Sequence, residues 1–191
     1  MIDLVKLVQD AQAGDRSAFR ELVEQTRSDL FHLALGILRN RDDAEDVLQE
    51  VYIKVYRNLQ GFRGESAVRS WLYRIAVNTS LDWKRGGKLV KLALDDSGGV
   101  DEPAAVNPHS DPRRGLDARE IREQIGGALT SLSPLERAVF TLRHESGLRL
   151  REIAATLERS EGTVKNILFR AIRKLRDQLK HLHDQPEVRT S

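Results

Sequence analysis

Cysteine is absent from the 191-residue chain. Its absence excludes disulfides, thiolate metal sites and thiol nucleophiles, and it suits a reducing cytoplasm. Long apolar runs are absent too, because acidic residues interrupt the apolar stretches before they reach the roughly 20 residues that a membrane-spanning helix needs. Residues 1–6 lack the layout of a signal peptide. The composition therefore predicts a soluble, cytoplasmic protein without membrane insertion.

The residue patterns of enzymes and metal sites are also missing. No glycine-rich phosphate loop follows a strand, and no Ser/His/Asp grouping lies in a recognisable context. Of the five histidines, only His181 and His183 are close together, and a separation of two residues places them on different faces of a helix. We therefore expect no enzymatic activity, no metal site and no cofactor.

Helical periodicity is what the first half of the chain contains instead. Apolar residues repeat at helical spacing over residues 4–11, and Gly14 is expected to end this helix. Ser17 is expected to cap a second helix, and a third helical stretch should bury apolar residues between positions 30 and 38. Nothing in residues 1–85 alternates with the period of two that marks a strand, so an all-helical N-terminal domain is predicted.

An acidic helix is predicted over residues 42–56. Its outer face carries Asp43, Asp46 and Glu50 with Gln49 beside them, a set that we call the acidic stripe. The helix dipole favours acidic residues near a helix N-terminus, which explains Asp43 well but explains Glu50, two turns further along, less well. Because such a stripe would repel DNA, it indicates a different partner.

A basic, aromatic segment follows, made of a glycine-marked loop at 60–66 and a second helix over 69–85. Residues 54–85 contain seven Lys or Arg and only two acids, and six of the ten aromatics lie between positions 52 and 83. Cations suit phosphates and aromatic faces suit unstacked bases, so this combination favours single-stranded nucleic acid as a ligand. If the chain were instead a helical adaptor that binds only proteins, the same residues would form core and solvated surface.

Residues 86–116 differ in composition from both flanking regions. They hold three of the five prolines and five of the thirteen glycines, and they contain no aromatic residue. Such a composition is typical of a flexible linker between two domains.

The C-terminal region is predicted to contain a helix-turn-helix. Residues 133–136, SPLE, combine a Ser N-cap, a Pro at the first helical position and a Glu at the third, which is a strong start signal for a helix. A short helix near 150–157 and a turn at 158–162 then lead into a helix that Thr163 is expected to open. Residues 159–180 carry seven Lys or Arg against two acids, so DNA binding is predicted for this second helix.

Three motifs in these regions resemble those of extracytoplasmic-function (ECF) sigma factors, a small two-domain class of bacterial sigma factor. The sequence DDAEDVLQEVY at 42–52 is similar to the family's polymerase-binding helix. FRGES at 62–66, followed by WLYRIAVN at 71–78, resembles its promoter-melting segment. GTVKN at 162–166, with FRA at 169–171, resembles its −35 recognition helix.

The resemblance implies an all-α fold of two small helical domains joined by a flexible linker. The boundaries expected from the sequence are 1–85 for sigma region 2, 86–116 for the linker, 117–182 for region 4 with its helix-turn-helix, and 183–191 for a tail. The implied function is that of a transcription initiation factor. It would bind core RNA polymerase, recognise duplex −35 promoter DNA and melt the −10 element, and an anti-sigma factor would clamp both domains.

The resemblance also assigns residues to each contact. The polymerase contact falls on the acidic stripe, Asp43, Asp46, Gln49 and Glu50. The −10 DNA contact falls on Phe62, Arg63, Gly64, Ser66, Arg74, Ile75, Asn78, Lys84 and Arg85. The −35 DNA contact falls on Ser160, Thr163, Lys165, Asn166, Phe169, Arg170 and Arg173.

The chain departs from the family pattern at some positions, and a second rival interpretation, besides the helical adaptor, remains open at this point. Ile167 stands where the family often has Arg or another polar residue, which predicts a missing DNA contact. Glu158 replaces a common turn glycine, which predicts a left-handed or rearranged turn. The rival is a LuxR-type transcriptional regulator, whose recognition helix is very similar to SEGTVKN at 160–166. Such regulators usually carry an α/β receiver or ligand-sensing domain. The helical N-terminal half of this chain argues against such a domain.

Overall fold

The computed structural model describes residues 3–64, 67–94 and 127–183, and within these ranges the regular elements are all helical. They are α1 (Leu4–Gln12), α2 (Arg16–Leu38), α3 (Arg41–Asn58), a 3₁₀ turn (Leu59–Gly61), α4 (Val68–Leu94), α5 (Pro134–His144), α6 (Leu150–Thr156) and α7 (Glu161–His183). We call α1–α4 the N-terminal unit and α5–α7, with the helical residues 127–130 before them, the C-terminal unit. The all-α fold class is confirmed.

Helix α2 begins under a different cap from the one expected. The chain leaves α1 through Gly14 at φ 99°, as predicted for a helix stop, and Asp15 then takes an extended conformation. The Asp15 carboxylate accepts hydrogen bonds from the backbone N–H of Ser17 at 2.7 Å and from its hydroxyl at 2.6 Å. These hydrogen bonds lower the pKa of Asp15. The prediction of Ser17 as the N-cap was wrong, because Asp15 is the last extended residue before the helix.

Helix α2 is also longer than expected, since one helix of 23 residues replaces the two predicted stretches. No Gly or Pro interrupts the sequence between Arg16 and Leu35. Thr26, in the middle, keeps its hydroxyl satisfied by donating to the Leu22 carbonyl at 2.7 Å and by pairing with the Tyr52 hydroxyl at 2.9 Å. The second of these contacts fixes α3 against α2.

The N-terminal unit is built around an apolar core shared by its four helices. Side chains from each helix are completely or almost completely buried there: Val8, Leu22, Leu30, Leu33, Ile37, Val47, Val51, Val55 and Leu72. Burying a side chain of this size stabilises the fold by about 1.5–3 kcal/mol. This core holds α3 and α4, which carry the acidic stripe and the aromatic segment, in fixed positions.

Helix α4 continues to Leu94, nine residues past the predicted end of the helix at Arg85. Gly86 and Gly87 reduce helix propensity by about 1 kcal/mol each, which suggested a boundary. The residues after them, KLVKLAL at 88–94, are helix formers on balance and carry the helix forward. The helix therefore extends into the predicted linker, whose residues 95–116, with the start of the helix expected from 117, lie outside the described residues.

Helix α5 begins with the capping box that the sequence predicted. The backbone N–H of Ser133 donates to Glu136 Oε2 at 2.8 Å, and the Glu136 N–H donates to Ser133 Oγ at 3.3 Å. Glu136 is buried, and Lys174 Nζ of α7 contacts its Oε2 at 2.7 Å. Burial alone would raise the pKa of Glu136, but the hydrogen bonds from Lys174 and Ser133 lower it below its ordinary value. One carboxylate thus caps α5 and ties it to α7.

The turn between α6 and α7 contains a left-handed residue, as the sequence predicted. Glu158 has φ 53°, and the following N–H of Arg159 donates to the Ala154 carbonyl at 2.9 Å. Ser160 is then free to cap α7, because its Oγ accepts the backbone N–H of Thr163 at 3.1 Å. Helix α7 therefore starts at Glu161, two residues before the predicted start at Thr163.

The two units pack against each other through α2 and α5. A Cβ added to Gly36 of α2 would lie 2.7 Å from Oγ1 of Thr141, so a side chain at this position would force Thr141 or the helices to shift. At the end of α5, loss of hydration raises the pKa of Glu145, and the positive charges of His32 and Arg39 oppose the rise. The contact between the units therefore combines close helix packing with a carboxyl group whose loss of hydration is only partly offset by neighbouring charge.

Candidate functional site

The acidic stripe lies on the outer face of α3, as predicted. Asn40 caps this helix by accepting the backbone N–H of Asp43 at 3.1 Å. The inner face is buried against the N-terminal core through Ala44, Val47, Leu48, Val51 and Val55. Burial of this face leaves the opposite face of α3, including Asp46 and Gln49, to the solvent.

The residues of the stripe are not equally available to a partner. Asp46 and Gln49 are exposed, whereas Asp43 is half-buried in the first turn. Glu50 is half-exposed and pairs with Lys54 Nζ at 2.7 Å, and the same ammonium group donates to Thr79 Oγ1 at 3.3 Å. A basic partner would bind Asp46 directly but would have to compete with Lys54 for Glu50.

Two residues that the sequence interpretation missed extend this surface. Ile53 is 50 % exposed and Tyr56 is 59 % exposed, although both are large and apolar. Helical spacing places Ile53 one turn after Glu50 and Tyr56 one turn after Ile53, and the Tyr56 ring meets Phe19 edge-on at 5.2 Å. The signal was available in the sequence, because counting by three or four from Asp46 leads to both positions. The stripe therefore has an acidic end and an apolar end.

The loop before α4 is held by a side chain of α1, about 50 residues earlier in the chain. Gln12 Nε2 donates to the carbonyl oxygens of Leu59 and Phe62, both at 2.8 Å. The Phe62 ring is half-buried and lies 4.9 Å from the ring of Trp71. Trp71 thus provides a packing surface for an aromatic side chain of the loop.

The other residues assigned to −10 DNA divide between this loop and α4. Arg63 and Gly64 are exposed in the loop, with Gly64 at φ 74°, while Ser66 lies outside the described residues. On α4, Ile75 packs at the edge of the core and Asn78, almost one turn later, is exposed. Ile75 and Asn78 thus lie about one and two turns after Trp71 on α4.

The basic residues of α4 have different surroundings. Lys84 is half-buried and Arg85 is exposed, with its Nη1 3.2 Å from Asp82 Oδ1. Arg74 is half-buried, and its guanidinium reaches across to the C-terminal unit. Arg85 therefore lies open to a phosphate, whereas Arg74 is engaged within the protein.

Helix α7 presents a basic face opposite its buried face. Val164 and Ala171 are fully buried, and the residues assigned to −35 DNA lie at the surface: Lys165, Asn166, Phe169, Arg170 and Arg173. Phe169 is 67 % exposed, the most exposed large apolar side chain among the described residues. Ser160 and Thr163, also assigned to DNA, form the cap of α7 with their hydroxyls 2.8 Å apart.

Ile167 was predicted to mark a missing DNA contact, and this prediction was wrong. Its side chain is 3 % exposed and belongs to the apolar core. Position 167 lies three residues after Val164 and four before Ala171, which is the spacing of the buried face of a helix. A polar residue at this position would point into the core, so Ile167 removes no surface contact.

A small cavity lies where the two units meet. Asn78, Asp82 and Arg85 of α4 line it from one side, and Leu135, Leu157 and Arg159 line it from the other. Among the described residues no group of three or more metal-binding side chains comes together. Within the same residues, none of the helices has the length and apolar character needed to cross a membrane.

Comparison with known families places both halves of the chain. Residues 22–89 match the family described as Sigma-70 region 2, and residues 122–175 match Sigma-70, region 4. The first match covers α3, the loop and most of α4, and the second covers the helix-turn-helix. The first match gives no support to the LuxR alternative, because sigma region 2 occupies the half of the chain where such a regulator would carry its sensing domain.

Curated relatives extend the likeness over most of the chain. The ECF RNA polymerase sigma-E factor of Escherichia coli K12 is 35 % identical over 169 residues, covering 86 % of this chain and 88 % of the relative. RNA polymerase sigma-H factor of Pseudomonas aeruginosa is 33 % identical over 170 residues, covering 87 % and 88 % of the two chains.

Solved structures share the fold. CnrH, in complex with the cytosolic domain of CnrY, has a TM-score of 0.66 at 23 % identity, covering 94 % of this chain and 97 % of CnrH. The sigma factor RpoE of Bartonella quintana, in complex with the anti-sigma factor NepR, has a TM-score of 0.64 at 24 % identity, covering 85 % and 96 %. Together with the identity to curated relatives over most of its length, this makes the chain a member of the ECF family of RNA polymerase sigma factors, non-enzymatic initiation factors that direct the polymerase to promoters.

Proposed function

We propose that the N-terminal unit docks on core RNA polymerase through the acidic stripe. The observation that carries this assignment is the exposed surface of α3, where Asp46 and Gln49 continue into Ile53 and Tyr56. Opposite charges steer two proteins together, and exposed apolar side chains provide the area that becomes buried. A basic, partly apolar surface on the polymerase would complement this arrangement.

We propose that the loop and α4 capture an unpaired base of the −10 element. Ile75 and Asn78 follow Trp71 along α4, and Phe62 packs on Trp71, so a base extruded from the duplex would meet aromatic and apolar groups together with one amide. An amide can donate and accept at the same time, which suits the Watson–Crick edge of a base. Arg63, Lys84 and Arg85 supply positive charge for the flanking phosphates. Extruding a base requires a few kcal/mol, which such stacking and hydrogen bonding would offset.

We propose that α7 enters the major groove of −35 DNA. Lys165, Asn166 and Arg170 lie on its exposed face and can reach base edges or phosphates, while Phe169 offers an apolar contact. The Ser160–Thr163 cap places these two hydroxyls and the N-terminus of α7 together, where a phosphate is favoured. The two units then recognise duplex and unpaired DNA separately.

We further propose that the chain works in the cytoplasm, where the polymerase is, and that an anti-sigma protein controls it. Support for the partner comes from the complex of RpoE with NepR, a sigma factor with the same fold bound to an anti-sigma factor. The N-terminal unit, ending with α4 at Leu94, would carry the polymerase and −10 surfaces. The C-terminal unit would carry the −35 surface.

Charge reversal in the acidic stripe tests the proposal. Replacing Asp46 and Glu50 by Lys turns attraction into repulsion and should weaken binding to core polymerase by a few kcal/mol in a pull-down or titration. The control is Glu45→Lys, which reverses a single charge on the same helix at an exposed residue outside the stripe. Far-ultraviolet circular dichroism should show equal helix content in all variants. Normal polymerase binding by the doubly reversed protein would contradict the assignment of the stripe.

A further inference from the structure

The end of α1 and the 3₁₀ turn before α4 exchange side-chain amides. Gln12 Nε2 donates to the carbonyl oxygens of Leu59 and Phe62, both at 2.8 Å. In return, Gln60 Nε2 donates to the backbone carbonyl of Gln12, also at 2.8 Å. Gln12 is the last residue of α1, where helix carbonyls have no partner within the helix. Three hydrogen bonds thus join segments that lie 47 to 50 residues apart in the chain.

The Gln12 amide fixes the direction in which the chain leaves the 3₁₀ turn. Within the turn, the Phe62 N–H donates to the Leu59 carbonyl at 3.1 Å. The two N–H donors of a planar amide diverge at a fixed angle, so they serve two carbonyls together only when the two peptide groups hold one relative orientation. The Phe62 carbonyl belongs to the peptide group that leads into Arg63. Its orientation therefore sets the path of the residues that follow, which we call the Phe62 loop.

Phe62 is held from two sides at the base of this loop. Its carbonyl is bonded by α1, and its ring lies 4.9 Å from the ring of Trp71 on α4, with 40° between the ring planes. Phe62 is half-buried, whereas Arg63 and Gly64, which follow it, are exposed. Gly64 has φ 74°, so the chain turns soon after the bonded peptide group. The Gln12 contact thus supports the exposed part of the loop from below.

The side chain of Gln12 serves the loop rather than its own helix. Helix α1 ends through backbone hydrogen bonds, one of them from the Gly14 N–H to the Ala11 carbonyl at 3.1 Å. Gln12 is half-buried, and a partly buried amide is favourable only where its donors find acceptors. An apolar side chain of the same length would fill the space but would leave the Leu59 and Phe62 carbonyls without this donor.

We propose that Gln12 is a positioning residue for recognition of the −10 element, acting through the Phe62 loop without touching the DNA. The proposal rests on the proposed function, in which Phe62 and Asn78 receive an unpaired base. With the two Gln12 bonds in place, the loop is ordered before the DNA arrives, so base capture costs less conformational entropy. Without them, the Phe62 ring and the Arg63 charge sample several positions. Base capture then weakens, while the acidic stripe and α7 are unaffected.

Gln12→Met tests the proposal, because methionine has about the length of glutamine but no amide. Holoenzyme with this variant should bind a single-stranded oligonucleotide of the −10 sequence at least about five-fold more weakly, the effect expected from two lost hydrogen bonds. Binding to core polymerase and to duplex −35 DNA should stay normal. The matched control is Gln9→Met, which makes the same change at an exposed position of the same helix.

A double-variant cycle with Phe62→Ala separates positioning from a general loss of structure. If Gln12 acts through Phe62, Gln12→Met should add little to the loss caused by Phe62→Ala, because no ring then remains to be positioned. Fully additive losses would overturn the positioning role. Unchanged affinity in Gln12→Met alongside a loss in Phe62→Ala would overturn the role of Gln12 alone. Unchanged affinity in Phe62→Ala would contradict the proposed function itself.

Hydrogen exchange measures the order of the loop in the full-length free chain, without DNA or polymerase. Gln12→Met should speed exchange of the backbone amides of residues 59–64 by at least about five-fold, because the loop opens more often. The amides of α4 should exchange as in the wild type, which they would not do if the N-terminal unit had lost its fold. Gln9→Met should leave both segments unchanged. Wild-type exchange of residues 59–64 in Gln12→Met would overturn the proposal.

Discussion

The N-terminal and C-terminal units differ in what holds them together. Of the twelve largest side chains that are fully buried among the described residues, ten belong to α1–α4 and two, Leu142 and Ile153, belong to α5–α7. The C-terminal unit also contains polar contacts between its helices. The Glu136 carboxylate is the main example, because it accepts hydrogen bonds from the Ser133 N–H and from Lys174 Nζ. Substitutions should therefore act through apolar volume in one unit and through hydrogen bonds in the other.

The two units also differ in how their functional residues are arranged. In the C-terminal unit, the assigned DNA contacts lie along one face of α7 and depend on the fold only for exposure. In the N-terminal unit, Phe62 and Asn78 belong to different segments, and Gln12 and Trp71 fix the position of the Phe62 loop relative to α4. A surface on one helix tolerates substitutions elsewhere in the fold and can be predicted from the sequence. A site that is formed by two segments also depends on the residues that position those segments.

The largest effect should come from opening a cavity in the N-terminal core. Leu72 of α4 is 1 % exposed, and Leu72→Ala should lower the free energy of unfolding by about 2–5 kcal/mol through lost burial and the cavity that remains. Urea denaturation followed by circular dichroism measures the change. Val5→Ala, at a residue 46 % exposed in α1, is the matched control and should change stability little. A loss below 1 kcal/mol for Leu72→Ala would contradict the role given to this core.

The next effect should come from the polar tie of the C-terminal unit. Glu136→Gln should cost about 1–3 kcal/mol, because it weakens the charge-assisted bond to Lys174. The pKa of Glu136 lies below the ordinary value of 4.5, so its ionised form contributes stability at neutral pH. That contribution is lost as pH falls through the folded-state pKa, because protonation then removes the charge.

The pH dependence distinguishes this mechanism from simple misfolding. Denaturation midpoints of wild type and Glu136→Gln should differ clearly at pH 7 and converge as pH falls below 4.5 and through the lowered folded-state pKa of Glu136. Glu161→Gln, an exposed carboxylate in the same unit, should show no such convergence. A difference for Glu136→Gln that stays constant with pH would mean that the carboxylate charge is not what stabilises the unit.

The third effect, equal to or smaller than that of Glu136→Gln, should be a loss of affinity for duplex DNA when α7 is changed. Arg170→Ala should weaken binding of the holoenzyme to −35 DNA by about 1–3 kcal/mol if the guanidinium contacts a guanine edge. Arg176→Ala, at an exposed arginine further along the same helix, is the control for general loss of positive charge. Binding is measured by competition with scrambled −35 DNA at fixed salt. If both variants lost the same affinity, for specific and for scrambled DNA, Arg170 would contact a phosphate and not a base edge.

Local patterns predicted most of the helices, but not the contacts between distant segments. The capping box at Ser133 and the left-handed turn at Glu158 follow from residues within a few positions of each other, and both were predicted. The prediction for Ile167 followed the family likeness and ignored the position of this residue on the helix. That position places its side chain in the apolar core. The hydrogen bond from Gln12 to Phe62 joins residues 50 apart, and the bond from Arg74 to Ala155 joins residues 81 apart. No periodicity encodes such pairs, so the packing of the two units against each other could not be predicted.

The last prediction compares two exposed asparagines, one in each unit. Asn78→Ala removes an amide from the proposed base pocket, and Asn166→Ala removes one from the face of α7. A hydrogen bond of this kind contributes about 0.5–1.5 kcal/mol net, so each variant should change its own step by about two- to ten-fold. Asn78→Ala should slow opening of duplex promoter, measured by permanganate reactivity of unpaired thymines, while −35 binding stays normal. Asn166→Ala should weaken −35 binding and leave opening of the bound complex unchanged.

A pre-melted −10 bubble sharpens the contrast between these variants. The bubble removes the energy needed to separate the strands but still requires a pocket for the unpaired base, so it should rescue Asn78→Ala only partly. It should not rescue Asn166→Ala, because the duplex contact of α7 lies elsewhere. If Asn78→Ala opened duplex promoter at the wild-type rate, Asn78 would have no role in base capture. The N-terminal unit would then recognise the −10 element through its aromatic and basic side chains alone.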